Sequence, residues 1–139
     1  MALESGEVEK AKELIFNGLE TNPKDSKMWF YGSIYFLKQN KMGIARFYLD
    51  RAEELGEKSP GLFANKALYF LQMNQSWKAV IELQRALALD SDHVNSNYLM
   101  AEILLNAHNY AGAKKYFKKL AQLGVDLHEY KSLIEEKHE

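Results

Sequence analysis

Residues 79–86 read AVIELQRA, and their spacing of small and large apolar residues returns at 45–52 (ARFYLDRA) and at 113–120 (AKKYFKKL), each 34 residues away. Ala79, Leu83 and Ala86 thus have counterparts in Ala45, Leu49 and Ala52, and in Ala113, Phe117 and Leu120. One further step back reaches Ala11, Ile15 and Gly18. The other half of the period repeats as well. Trp29, Ser33 and Phe36 recur as Phe63, Ala67 and Phe70, then as Asn97, Ala101 and Leu104. Steps of four and three residues put each trio on one face of a helix. A fixed period of this length marks a solenoid, in which each unit buries its apolar face against its neighbours.

Every segment between turn signals carries the helical period, and none alternates like a strand. Helices are predicted at about 7–21, 26–39, 42–55, 60–73, 76–89, 94–107, 110–123 and 127–137. Asn22-Pro23 closes the first, because a residue before proline is pushed out of the α region. Gly56 and Gly124 follow Leu55 and Leu123, where a left-handed residue commonly ends a helix. Ser59-Pro60 offers a capping hydroxyl and then a proline for the first turn. Asp90-Ser91-Asp92 is expected to cap the sixth helix. Such short connections force consecutive helices to pack antiparallel.

In this period, in two helices per unit, and in Trp29, Phe36, Ala45, Leu49 and Ala52 with their recurrences, the chain resembles the tetratricopeptide repeat family. The resemblance covers nearly the whole chain and implies an all-α, right-handed superhelical solenoid of antiparallel helix pairs with a C-terminal capping helix. The expected division of this single domain, 1–139, is a half repeat at 1–25, full repeats at 26–59, 60–93 and 94–127, and the capping helix at 128–139. That cap carries Leu127, Tyr130, Leu133 and Ile134 on one stripe. The family's large leading residue is Asn97 in the last unit, and its closing proline appears only as Pro23.

Composition narrows the function. With 47% hydrophobic and 27% charged residues the chain can build a packed core. A net charge of -1 gives no basic surplus for nucleic acid or an anionic membrane. Without cysteine there are no disulfides or thiolate metal sites. No run approaches the roughly 18 apolar residues of a membrane span, and the N-terminus lacks a signal peptide's basic start and apolar core. These features favour a cytoplasmic protein without membrane insertion. His93, His108, His128 and His138 fall near junctions or the terminus and are read as solvated, with no metal or other cofactor expected. Adjacent acids such as Glu53-Glu54 and Glu135-Glu136 point about 100° apart on a helix, so they are not acid/base dyads. Lys114, Lys115, Lys118 and Lys119 are read as a solvated outer face, with contact to an acidic partner as the alternative.

The helix around residues 28–37 is apolar nearly all round, so it is buried on every side or serves as a binding face. Beside the core stripe of Trp29 and Phe36 runs a second stripe on the inner side of the superhelix. Its residues Phe30, Ile34, Ala64, Leu68, Tyr98 and Glu102, edged by Lys27, Asn65 and Asn95, are expected to form a peptide-binding groove. Relatives that grip the C-terminal carboxylate of heat-shock chaperones use lysines, an arginine and asparagines on these inner helices. Here the matching residues are Phe30, Ile34, Asn65, Asn95 and Leu99, of which only Asn65 agrees, so that activity is not expected. The resulting expectation is a non-catalytic module that holds an apolar peptide or helix of a partner protein, in complex assembly or as a secretion-type chaperone. The alternative is a self-associating scaffold built through Leu14 and Phe16 of the half repeat.

Overall fold

The structure is a computed structural model that describes residues 5–132. Among these residues seven α-helices follow one another without a strand. They are α1 (Ser5–Thr21), α2 (Ser26–Lys38), α3 (Met42–Glu54), α4 (Pro60–Gln72), α5 (Ser76–Leu89), α6 (Val94–Asn106) and α7 (Tyr110–Gln122). Five helices stop one residue before their predicted ends, because Gln39, Leu55, Met73, Ala107 and Leu123 serve as C-caps. None of the described helices is long and apolar enough to cross a membrane.

The helices pack as pairs, α2 on α3, α4 on α5 and α6 on α7, with successive pairs stacked through α3 on α4 and α5 on α6. The alanines set this spacing. Ala45, Ala52, Ala79, Ala86 and Ala101 are wholly buried, so neighbouring backbones approach closely at those crossings. Large side chains fill the space between them, in three apolar clusters strung along the stack. The first joins Leu49 and Ala52 of α3 to Leu62 and Phe63 of α4 and Ala86 of α5. The second joins Ala67 and Phe70 of α4 to Ala79 and Leu83 of α5 and Met100 of α6. The third gathers Ala101, Ala113, Phe117, Leu120 and Leu127.

Local chemistry fixes the junctions. Asp25 accepts from the backbone N–H of Lys27 and Met28 at the start of α2, and the Ser59 hydroxyl accepts from Leu62 N–H ahead of Pro60. For α6 the expected aspartate cap is corrected. His93 holds that position, its Nδ1 accepting from Ser96 N–H, while the Asp90 carboxylate is turned to the N–H of Asp92. Three turns within the pairs use a left-handed residue that is not glycine: Asn40, Asn74 and His108, at φ 57°, 58° and 60°. Behind each, a backbone bond of the Schellman type closes the helix, from Lys41 to Phe36, Gln75 to Phe70 and Asn109 to Leu104. Gly56 and Gly124 also have positive φ, as the sequence pattern suggests.

After α7 the chain turns back over the last pair. In place of a helix starting near 127, a single 3-10 turn spans His128–Tyr130 and leads into helical residues 131–132. Leu127 is buried there and the Tyr130 ring stacks on Phe117 at 4.5 Å. Residues 133–137 of the predicted helix, with Leu133 and Ile134, and the rest of the segment to 139, lie outside the described residues.

Candidate functional site

An apolar cleft of about 450 Å³ opens between α1 and α2. From α1 come Ala11, Leu14 and Ile15, which the helical period sets on one face. From α2 come Met28, Tyr31, Ile34 and Tyr35, with Lys38 and Gln39 at the rim. Lys38 is the one charged side chain of this lining, so the cleft suits apolar matter. Leu14 is 68% exposed and Tyr31 50%, an unusual state for large apolar side chains grouped around one concavity.

Ala11 and Ile15 correspond by period to Ala79 and Leu83 and to Ala113 and Phe117. Those later residues are covered by the first helix of their own pair, through Ala67 and Phe70 in one case and Ala101 in the other. Among the described residues α1 has no helix before it; Ile15 is nonetheless buried, lying close to Gly32 of α2, and Leu14 is the α1 residue of the cleft left exposed.

No family model matches the chain. The backbone aligns with the crystal structure of YrrB, described as a TPR protein with an unusual peptide-binding site, at a TM-score of 0.67. That alignment covers 84% of this chain and 60% of the other at 18% identity. The chain has the tetratricopeptide-repeat fold. A chain of the APC/C hetero-tetramer Cut9-Hcn1 aligns at a TM-score of 0.45 and 18% identity, over 86% of this chain and 29% of that one. Among curated proteins, the bifunctional subunit NrfFG of the formate-dependent nitrite reductase complex of Haemophilus influenzae is 28% identical over 130 residues. The match takes in 91% of this tetratricopeptide-repeat chain, which spans 34% of that relative's length.

Within this tetratricopeptide-repeat fold the nine residues of the expected inner groove differ in exposure and in the partners they meet. Ile34 joins the α1–α2 cleft instead. Phe30 is half-buried, packed on the Leu49–Phe63 cluster, and its ring lies so close to Gly61 that a Cβ there would come within 3.0 Å of Phe30 Cζ. Ala64 is 3% exposed and offers a ligand almost no surface, a correction that follows from tight stacking of successive first helices. Tyr98 and Glu102 stay partly exposed, and the returning C-terminal turn engages both. The Tyr98 hydroxyl lies 2.9 Å from that of Tyr130, and the Tyr130 hydroxyl donates to Glu102. That bond to the Glu102 carboxylate, then the one to Tyr98, pushes the Tyr130 hydroxyl far above the usual tyrosine pKa. Leu68 and Asn65 remain at least partly open on α4, and Lys27 and Asn95 are exposed at the starts of α2 and α6.

Leu14 and Phe16 part company too. Two residues apart on a helix they point to opposite sides. Leu14 lines the cleft, whereas Phe16 stacks on Phe36 at 6.3 Å and keeps 38% of its surface exposed. The cleft residues that sequence reasoning left unassigned are Met28, Tyr31, Tyr35, Lys38 and Gln39. Their signal was the second apolar side of α2, which the period alone could not direct towards α1.

Proposed function

We propose that this chain is a non-catalytic interaction module whose docking site is the α1–α2 cleft, and that it takes an apolar helix of a partner protein. The observation that carries the reading is the open, apolar 450 Å³ concavity beside exposed Leu14 and Tyr31. In this reading the docked helix packs against α1 and α2 as the first helix of a pair packs against its second. The completed pairs indicate what fits: a helix with a large–small–large stripe, as in Phe63, Ala67 and Phe70. The peptide-binding site in the description of YrrB, and the membership of a complex in that of the nitrite reductase relative, support a role in assembly.

A fluorescein-labelled synthetic peptide of residues 58–74, which carries that stripe, tests the reading by fluorescence anisotropy on the intact chain. The peptide is expected to bind, and its Phe63→Glu version is not. Leu14→Glu and Ile34→Glu in the protein should each weaken binding by about 2 kcal/mol, the scale of an interface hot spot, with helix content retained by circular dichroism. Gln84→Glu, on the exposed side of α5, should be silent. Binding that survives both charged variants would sink the proposal.

A further inference from the structure

A second cleft, of about 360 Å³, lies between the second helices of the last two pairs. It is lined by Leu87 of α5, Ser91, Asn97 of α6, and Lys115, Lys118 and Lys119 among the residues of α7. Helix α7 carries four lysines and no acid. Like charges at three- and four-residue spacing oppose helix formation by about 0.2–0.5 kcal/mol per pair. Among the described residues only Lys119 has a counter-ion, Asp92 at 2.6 Å. Lys115 rests over the Tyr116 ring at 5.7 Å, and neither it nor Lys118 makes an ion pair with another described residue.

The same position one repeat earlier is occupied from within. There Arg85, the counterpart of Lys119, is held 2.7 Å from Glu53 and 2.8 Å from Glu82, and its guanidinium lies 4.0 Å from the centre of the Phe63 ring. Lys66 adds a bond to Glu53 at 2.5 Å. Stepping 34 residues on, Glu53 becomes Leu87, Glu82 becomes Tyr116 and Phe63 becomes the smaller Asn97, while cations replace Ile81 and Gln84 as Lys115 and Lys118. The later cleft has therefore gained positive charge and lost both internal carboxylates.

We propose that this cleft docks an acidic peptide segment of a partner protein, whose carboxylates take the places that Glu53 and Glu82 hold one repeat earlier. Charge complementarity selects this occupant: cations of one helix line an opening of side-chain size, and among the described residues Asp92, on Lys119, is the one acid paired with them. A nucleic acid would need a longer basic track than one helix provides, on a chain whose net charge is -1. This site is separate from the α1–α2 cleft and stands or falls independently of it.

The test measures anisotropy of a fluorescein-labelled peptide of four Glu-Gly-Ser repeats against its Gln-Gly-Ser counterpart, on the whole chain. The acidic peptide is expected to bind about tenfold or more tighter at low salt, an advantage that shrinks as salt is raised. Lys115→Glu with Lys118→Glu should abolish that advantage, and Lys115→Arg with Lys118→Arg should keep it. Lys24→Glu with Lys58→Glu, an equal charge change at distant exposed sites, should leave it intact. Leu87→Glu, which restores a carboxylate where Glu53 stands in the earlier cleft, should compete with the peptide and weaken it; thermal melting checks that each variant folds. Equal binding of the two peptides, equal losses in the two charge-reversed pairs, or tighter lysine-dependent binding of a single-stranded oligonucleotide would each overturn the proposal.

Discussion

Gly32 sits buried where three helices meet. A Cβ added there would run into the Tyr48 ring of α3 and come within 3.3 Å of Ile15 Cγ2 on α1. The ring has little room to yield, because Trp29 and Phe36 lie against it at 4.8 and 4.9 Å. Gly32→Ala should therefore cost about 1–3 kcal/mol through overpacking, even though alanine is the better helix former. At Gly43, in the first turn of α3, nothing lies within 4 Å, and Gly43→Ala should be neutral or stabilising by up to about 1 kcal/mol. Thermal unfolding of the two variants checks the pair, and melting points shifted in the same direction would contradict it. In the sequence, Gly32 was only a weak helix former inside an apolar stretch. The need for glycine comes from a tyrosine ring 16 residues further on in the chain.

The elements are tied together by charges as well as by alanines. Glu53 on α3 accepts from Lys66 on α4 and from Arg85 on α5, so three helices share one carboxylate. Burial alone would raise its pKa, but the hydrogen bonds and charges of Lys66 and Arg85 outweigh burial and hold it below the usual glutamate value. A carboxyl group with a depressed folded-state pKa stabilises the fold fully above its unfolded pKa, about 4.3. It loses that contribution as pH falls through the folded value. Glu53→Gln should accordingly be less stable than the parent by about 1 kcal/mol at pH 7. The gap should close as pH falls below about 4.3. Urea unfolding at pH 7 and at acid pH measures it, and a gap that widens in acid would reverse the assignment. The pattern places each of these residues on the outer side of its helix, but Arg85 and Glu53 are 32 residues apart and meet only through stacking.

At the scale of the whole molecule, a solenoid buries each unit against the next, and a helix left without its neighbour keeps an apolar face. The exposed Leu14 on the α1–α2 cleft supports a second occupant besides a partner helix, namely another copy of this chain. If copies meet there, light scattering should show dimers appearing at high micromolar concentration and disappearing in Leu14→Glu. Excess peptide of residues 58–74 should also dissolve them, since both would occupy the same cleft. Phe16→Glu should have the smaller effect, because Phe16 lies on the side stacked against Phe36. A parent protein that stays monomeric throughout would remove self-association and leave the partner helix.

The seven helices α1–α7, their limits to within about two residues, and the stacked architecture were readable from a 34-residue period and its punctuation. Those signals are local: an apolar stripe, a capping Ser59 or Asp25, a glycine at Gly56 or Gly124. Working surfaces are not local. Ile34 and Leu68 share a repeat position, yet one lines the cleft between α1 and α2 and the other stands exposed on α4. Tyr98 and Glu102 read as groove residues until the turn at Tyr130 folded onto them. The lysines of α7 were visible as a charged helix, but whether a cation finds a carboxylate depends on the side chains that neighbouring helices bring alongside. Stacking brings Glu53 of α3 to Arg85, beside Glu82 of its own helix, and brings Leu87 of α5 to the later cleft instead.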